Sequence, residues 1–424
     1  MLTLKVIREN KDRVIERLKV KHFVSESIIN EIILIDDRRK ELQFEKDNFL
    51  NKLNEISKEI GQLLSKGIKE KADELKVETV ELKERIKSLE SELSESEKLL
   101  TEKLVLLPNL PHESVPIGRK AEDNICEKTG GKIPELKNKK PHWELIRDYN
   151  IIDFELGTKI TGAGFPIYIG KGAKLQRALI SFFLDEAEAA GYLEIMPPLM
   201  VNEDSGFGTG QLPDKEGQMY HATVDNFYLI PTAEVPVTNL YRNVILEEKQ
   251  FPIKNVAYSE CFRREAGSWG ADVRGLNRLH QFSKVEIVQI RKPEESYQAL
   301  EEMKVHVEGL LQKLELPYRI LRLCGGDMSF TSALTFDFEV FSAAQERWLE
   351  VSSVSNFEEF QANRLKLRYK STDDKKAKLA HTLNGSALAL PRIMAALLEN
   401  NQTAEGIIIP EVLRKYTKFD MIKG

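Results

Sequence analysis

The stretch SECFRREAGSWG, residues 259–270, sets Arg263 and Arg264 side by side, ahead of Glu265 and an Ala-Gly-Ser turn. Adjacent guanidinium groups present planar, bidentate donors that suit phosphate and carboxylate oxygens. They stand out because two common phosphate devices are absent from the sequence. The Gly-Lys pair in GFPIYIGKGAK lacks the glycine spacing and the following Ser or Thr of a P-loop, and no G-x-G-x-x-G opens a helix after a strand. If phosphate binds, arginines must hold it, and Arg263, Arg274, Arg278 and Arg392 are the candidates. Taken singly, the chemical residues all have bland alternatives. Arg263 and Glu265 suit a surface ion pair, Phe282 a core position, Glu350 a solvated strand end and Arg392 a helix-terminal donor.

The 424 residues that must position this chemistry are enough for a catalytic core plus an appendage. From about Glu26 to Leu107 the chain is polar and almost free of Pro and Gly. Ile28, Ile35, Leu42, Phe49, Ile56 and Leu63 recur every seven residues, with Ile32, Leu53 and Ile60 on the interleaved series and Arg39 and Lys46 interrupting it. After a break at LSKGIKEK, centred on Gly67, the pattern restarts with Leu75, Leu82 and Leu89 on one series and Ile86, Leu93 and Leu100 on the other. A break that short predicts an antiparallel coiled-coil hairpin, each helix on the order of 55 Å long at 1.5 Å per residue. Periodicity alone suits dimerisation or scaffolding equally well. A nucleic-acid role would need Arg38, Arg39, Lys40, Lys46 and Lys52 to gather on one face.

Pro108, Pro111 and Pro116 end the hairpin and mark a domain boundary. Beyond it, AKLQRALISFFLDEAEAAG reads as an apolar helix ending at Gly191, and YLEIMPPLMV as a β-type run whose Pro197 and Pro198 favour an edge or interface. Strands are predicted at NFYLIPT, KNVAYSECFRRE, HQFSKVEIVQI, YRILRL, TFDFEVF and RWLEVSSVSN, with PRIMAALLENN as the last helix. That order is α+β with mostly antiparallel strands, which argues against a doubly wound nucleotide fold. Three thiols without close pairing, Cys126, Cys261 and Cys324, suit a reducing compartment, so neither disulfides nor zinc are expected. A charged N-terminus and the lack of any apolar run near ~20 residues predict a cytoplasmic protein with no membrane partner. The net charge of -5, from 62 basic and 67 acidic residues, means that any nucleic-acid surface is local.

Along essentially its whole length the sequence resembles the bacterial-type seryl-tRNA synthetases, which are class II aminoacyl-tRNA synthetases. The hairpin resembles that family's tRNA-binding arm. GYLEIMPPLM resembles motif 1, with Pro198 as its signature proline, CFRREAGSWGADVRGLNRLHQFSKVE motif 2, and LNGSALALPR motif 3, with Arg392 as its arginine. PTAEVP and LEVSSVSN match segments that separate the serine enzymes from relatives specific for threonine, proline or histidine.

The resemblance implies a class II antiparallel sheet with flanking helices over residues 111–424, preceded by a tRNA-binding domain over 1–110. It implies ATP and L-serine as substrates, Mg2+ as cofactor, a homodimer through motif 1, and tRNA(Ser) as acceptor, with tRNA(Sec) left open. By this analogy Arg263, Glu265 and Arg392 are the catalytic set. Arg263 contacts the α-phosphate and the serine carboxylate, with Arg264 and Arg274 beside it, and Glu265 faces the adenine. Phe282 stacks under the adenine while Arg392 covers its other face and reaches the γ-phosphate. Glu350, Val351, Ser352 and Ser353 line the nucleotide, with Glu350 and Ser353 as magnesium ligands. Thr232, Ala233, Glu234, Arg263, Glu286, Asn384 and Ser386 hold serine in a pocket that rejects alanine well and threonine by shape alone. Four positions depart from the pattern. Ala387 stands where many members have glycine, Pro391 where they have a small residue, Arg264 where Ser is frequent, and Ala271 where Arg is frequent, which bears on loop closure over ATP. Two further classes compete: a related ligase that charges a carrier protein, which the long hairpin argues against, and a silent coiled-coil scaffold, which intact Arg263, Glu350 and Arg392 argue against.

Overall fold

The computed structural model describes residues 1–265, 274–371 and 376–423. The chain divides into two compact units, Met1–Lys19 with Phe23–Pro108, and Val20–His22 with Asn109–Gly424.

In the first unit the heptad pattern becomes two helices, α1 over Glu26–Ser65 and α2 over Lys69–Leu104. The reversal falls on Gly67, whose φ of +77° is a left-handed conformation that costs glycine little. Cross-helix ion pairs record the antiparallel register: Lys103 meets Glu31, Arg38 meets Glu92, Arg85 meets Glu45 and Lys52 meets Glu78. Ile32, Leu42, Ile56, Leu82, Ile86, Leu89, Leu93 and Leu100 are buried, as the spacing predicts. The interruption at Arg39 has a partner that periodicity does not reveal. Asp36, only 1% exposed, collects Arg8, Arg39 and Lys40 at 2.8 Å each.

The second unit is built on a sheet with eight strands among the described residues: β1 (Ile125–Gly130), β2 (Leu193–Glu194), β3 (Ile253–Phe262), β4 (Gln281–Arg291), β5 (Tyr318–Arg322), β6 (Leu334–Ser342), β7 (Arg347–Glu358) and β8 (His381–Ala389). They lie in the order β1-β5-β6-β7-β8-β4-β3-β2, and every neighbouring pair is antiparallel except β2 with β3. The unit's helices include α3 (His142–Asp148), α4 (Lys171–Ala189), α5 (Glu234–Asn239), α6 (Ser296–Lys313) and α7 (Leu390–Asn400).

One face of the sheet is the main core. Phe336, Phe338, Val351, Val354, Ile287 and Leu383 join Phe182 and Phe183 of α4, Met303 and Val307 of α6, and Ile393 and Met394 of α7. Because side chains alternate along a strand, residues between these positions emerge on the opposite face. There α5 sits over the sheet, packing Ala233 and Val237 against Ala257 and Val288. The long run at 192–201 yields only Leu193–Glu194 and Met200–Val201 as strand, since Pro197 and Pro198 have no N–H to donate to a ladder. Elements beyond the sequence reading include β1, α3, α5 and the long α6, together with β8, which carries the third motif to the middle of the sheet, and a short helix at Glu411–Thr417 that follows α7.

Candidate active site

Strand alternation brings Lys284, Glu286 and Val288 of β4 to the face opposite the main core. On β8, Ser386 lies directly across from Glu286 and Asn384 across from Val288. Ser355 of β7 is paired with Asn384, and Thr335 of β6 with Ser355, their hydroxyls 2.9 Å apart. A polar row therefore crosses four central strands, at positions that the sequence separates by up to about a hundred residues.

Two buried carboxylates anchor this row. Glu286, 2% exposed, accepts from the Lys284 ammonium at 2.7 Å and from the Ser386 hydroxyl at 3.3 Å. Glu234, in the first turn of α5, accepts from the Gln361 amide at 2.6 Å, and Gln361 in turn accepts from the Thr382 hydroxyl at 2.7 Å. The Thr232 hydroxyl accepts the Glu234 backbone N–H at 3.2 Å and so sets the entry to the helix. Burial, followed by the like charge of Glu286, pushes the Glu234 carboxyl up to about 7, against the pull of Gln361, Lys284 and Asn384. The arrangement is a small, closed polar cell with surplus acceptors, suited to a ligand that carries an ammonium and a hydroxyl.

The cationic side of the site lies along the ends of β3 and β4. Arg263 follows β3, donates its backbone N–H to the His280 carbonyl at 2.9 Å, and holds its guanidinium 5.3 Å from the centroid of Phe282. The thiol of buried Cys261 is raised first by desolvation and feels Lys284, Arg263 and Glu286, which gathers those three charges around one strand position. Arg264 lies 6.0 Å over Tyr220, and Arg274 lies 4.7 Å over Trp143. Glu265, at φ +50°, pairs with Arg278. Arg392, in the first turn of α7, donates to the carbonyls of Asn277 at 3.0 Å and Glu350 at 2.8 Å and lies 3.7 Å from the Glu350 carboxylate. The ring of Phe282 is thus met by Arg263, while Arg392 turns to Asn277 and Glu350.

Other expected residues act through the backbone or support the row. Val351 packs into the main core, so only its main chain can line a ligand, and the Ser352 hydroxyl donates to the Ser386 carbonyl at 2.5 Å. Ala233 belongs to the apolar cluster under α5. Ser353 pairs across the sheet with Asp337, a buried carboxyl held well above its usual range first by desolvation and then by Glu350. Of the departures, Ala387 is fully buried in β8, Pro391 occupies the first turn of α7 where a missing N–H costs nothing, and Ala271 lies outside the described residues. Lys284, Gln361 and Asp337 were not singled out by sequence. Lys284 could have been, because a residue two before Glu286 on a strand shares its face.

The comparisons with known proteins agree along the chain. Residues 1–111 match the seryl-tRNA synthetase N-terminal domain, and residues 219–401 match the class II tRNA synthetase core domain of the G, H, P, S and T enzymes. The serine–tRNA ligase of Salinibacter ruber is 50% identical over 424 residues, covering 100% of this chain and 99% of that one. The serine–tRNA ligase of Pelodictyon phaeoclathratiforme is 46% identical, again covering 100% and 99%. Among solved structures, the seryl-tRNA synthetase of Pyrococcus horikoshii complexed with ATP superposes with a TM-score of 0.91 at 34% identity, covering 100% of this chain and 99% of that one. With both family models matched and a relative 50% identical over the whole length of the chain, this chain belongs to the seryl-tRNA synthetase family of class II aminoacyl-tRNA synthetases.

Proposed function

We propose that the chain is a serine–tRNA ligase: it joins L-serine to ATP as seryl-adenylate, releasing pyrophosphate, and then passes the seryl group to the 3'-terminal adenosine of tRNA(Ser), releasing AMP. The observation that carries this reading is the buried Glu234–Glu286 cell at the edge of an arginine-rich face, because it offers a site for a small hydroxy-amino acid beside one for phosphates.

In the first step a serine carboxylate oxygen attacks the α-phosphorus in line with the departing pyrophosphate. No protein nucleophile is needed, so alignment and charge stabilisation account for the rate. Arg263 holds the carboxylate and the α-phosphate together, with Phe282 beneath the adenine and Glu265 at its edge. Arg264 and Arg274 add charge beside them, and Arg392 reaches the terminal phosphate. Glu234 and Glu286 take the ammonium and the hydroxyl, with Thr232, Asn384 and Ser386 closing the cell. In the second step the adenosine hydroxyl attacks the activated carbonyl and AMP leaves.

The donor set fits magnesium: Glu350, Ser353 and Asp337 supply hard oxygens, and Asp337 Oδ1 is buried with no hydrogen-bond partner. Glu350 and Ser353 would hold the ion, which would neutralise phosphate charge. The tRNA would be held by the N-terminal domain, residues 1–110, through its coiled-coil arm, the dimer would form through the motif 1 segment, and the protein would work in the cytoplasm. Among the described residues no helix is long and apolar enough to cross a membrane.

Serine-dependent ATP–pyrophosphate exchange tests the reading. Exchange with alanine should fall roughly 10⁴-fold below that with serine, because the cell's acceptors would be left unpaired. Equal exchange with both, or none with serine, would sink it. A pH series adds a second check. The Glu234 carboxyl is raised, so it is neutral well below about 7 and ionised above it. Serine affinity should therefore strengthen as pH rises toward 7 and level off beyond, and Glu234→Gln should flatten the profile. Without serine the sign reverses for the fold: the raised carboxyl favours folding at low pH, and that contribution is lost between about 4.5 and about 7. A serine KM that ignores pH in the unmodified protein would remove Glu234 from the ammonium.

A further inference from the structure

We infer that the buried pair His142–Glu399 is a positioning device for the nucleotide half of the site, fixing the backbone at Leu276 and, through Asn277, the guanidinium of Arg392. It rests on the reading that Arg392 contacts ATP.

The two residues lie on α3 and α7, both at 0% exposure, and neither belongs to the charged face described above. Glu399 Oε1 accepts from the His142 backbone N–H at 2.8 Å, from His142 Nδ1 at 2.7 Å and from the Gln345 amide at 2.9 Å, while Oε2 accepts from the Ser342 hydroxyl. On the far side of the ring, His142 Nε2 lies 2.8 Å from the Leu276 backbone N–H. An amide nitrogen can only donate, so Nε2 is the acceptor and the ring proton sits on Nδ1, facing the carboxylate. Carboxylate, imidazole and backbone amide thus form one directed chain.

That chain ends where the site needs a fixed edge. Gly275, at φ +64°, lies so close to the ring that a Cβ there would come 2.3 Å from His142 Nε2, an approach only glycine permits. Trp143, the next residue of α3, lies under the Arg274 guanidinium at 4.7 Å. The His-Trp dipeptide therefore grips the chain on both sides of Gly275. One residue further on, the Asn277 carbonyl accepts from Arg392 Nε at 3.0 Å, and the Asn277 amide donates to Gln345, itself bonded to Glu399. Arg392 and the backbone that orients it are both tied to Glu399, one through α7 and the other through His142. A long side chain held at one end by a carbonyl is only as well placed as that carbonyl.

The test is steady-state pyrophosphate exchange by the full-length protein, measuring KM for ATP and for serine separately in wild type, His142→Ala, Glu399→Gln and Arg392→Ala. His142→Ala should raise the KM for ATP about tenfold or more while moving that for serine less than about twofold. Glu399→Gln keeps an oxygen for His142 and turns its amide to Ser342, so it should fold like wild type and shift the KM for ATP in the same direction by about threefold. If His142→Ala does not fold, Glu399→Gln decides alone. Folded variants with an unchanged KM for ATP, or with both KM values raised in parallel, would overturn the positioning role and leave a stabilising pair only. Arg392→Ala separates the two readings: if it spares ATP, the nucleotide assignment itself fails, whereas if it weakens ATP and the other variants do not, only the relay fails.

Discussion

Deleting residues 44–86 and closing the hairpin with a short Gly-Ser turn should leave serine activation within about twofold of the full-length value while tRNA charging falls on the order of 10³-fold or more. The cut follows the register, since Arg38 faces Glu92 below it and Lys52 faces Glu78 within the removed piece. It leaves Asp36 and its three cations intact, so the base of the hairpin keeps its buried ionic knot. The effect is expected to be large because sequence-independent contacts to phosphates supply most of the affinity of such a surface, and those open to Lys46, Lys52 and Arg85 go with the removed piece. Arg38, Lys52 and Arg85 are engaged with Glu neighbours, but exposed pairs of that kind are worth about 0–1 kcal/mol, and a phosphate can displace the carboxylate. Full-length charging should also weaken steeply with added salt while pyrophosphate exchange does not. A trimmed enzyme that still charges tRNA(Ser) efficiently would return the hairpin to a dimerisation or scaffolding role.

Much of this architecture was legible in the sequence because it is written in local periods. The seven-residue repeat specifies the hairpin and its turn, and the apolar runs give β3, β4, β5, β6 and β7 close to their observed bounds. What local periods do not encode is which strands are neighbours. LNGSALALPR reads as a motif with an arginine, yet its first residues form a strand seated between β7 and β4, and that placement sets Ser386 opposite Glu286. Asp36 is a local partner of Arg39, three residues away on the same helix, but its contact with Arg8 from another helix is not local and was hidden for the same reason. Supporting residues were the hardest to see. Gln361 and Lys284 touch Glu234 and Glu286, but nothing in an isolated Gln or Lys says that it lies inside a closed cell. His142 and Glu399 are separated by 257 positions and meet only when α3 packs on α7.

Glu286→Gln should raise the KM for serine on the order of 100-fold while leaving that for ATP within about threefold, since a neutral amide cannot balance the substrate ammonium. The same change has a cost of its own. Lys284 is 7% exposed beside Glu286, and removing one partner of a buried pair costs about 3–5 kcal/mol because the other charge is left uncompensated. The variant should therefore melt earlier, and a skeptic could assign its weak serine binding to a loosened sheet. Replacing Lys284 with Met in the same protein distinguishes the two effects. Lys284→Met with Glu286→Gln removes the stranded ammonium and fills its space with an apolar chain, so thermal stability should return toward wild type. Serine affinity should stay low, because the acceptor for its ammonium is still missing. Glu234 offers a further mark: without the like charge of Glu286 its carboxyl titrates lower, so the pH at which serine binding levels off should move below that of wild type. Recovery of serine affinity together with stability in the double variant would mean that Glu286 acts only by housing Lys284, and the ammonium would then have to be assigned to Glu234 alone.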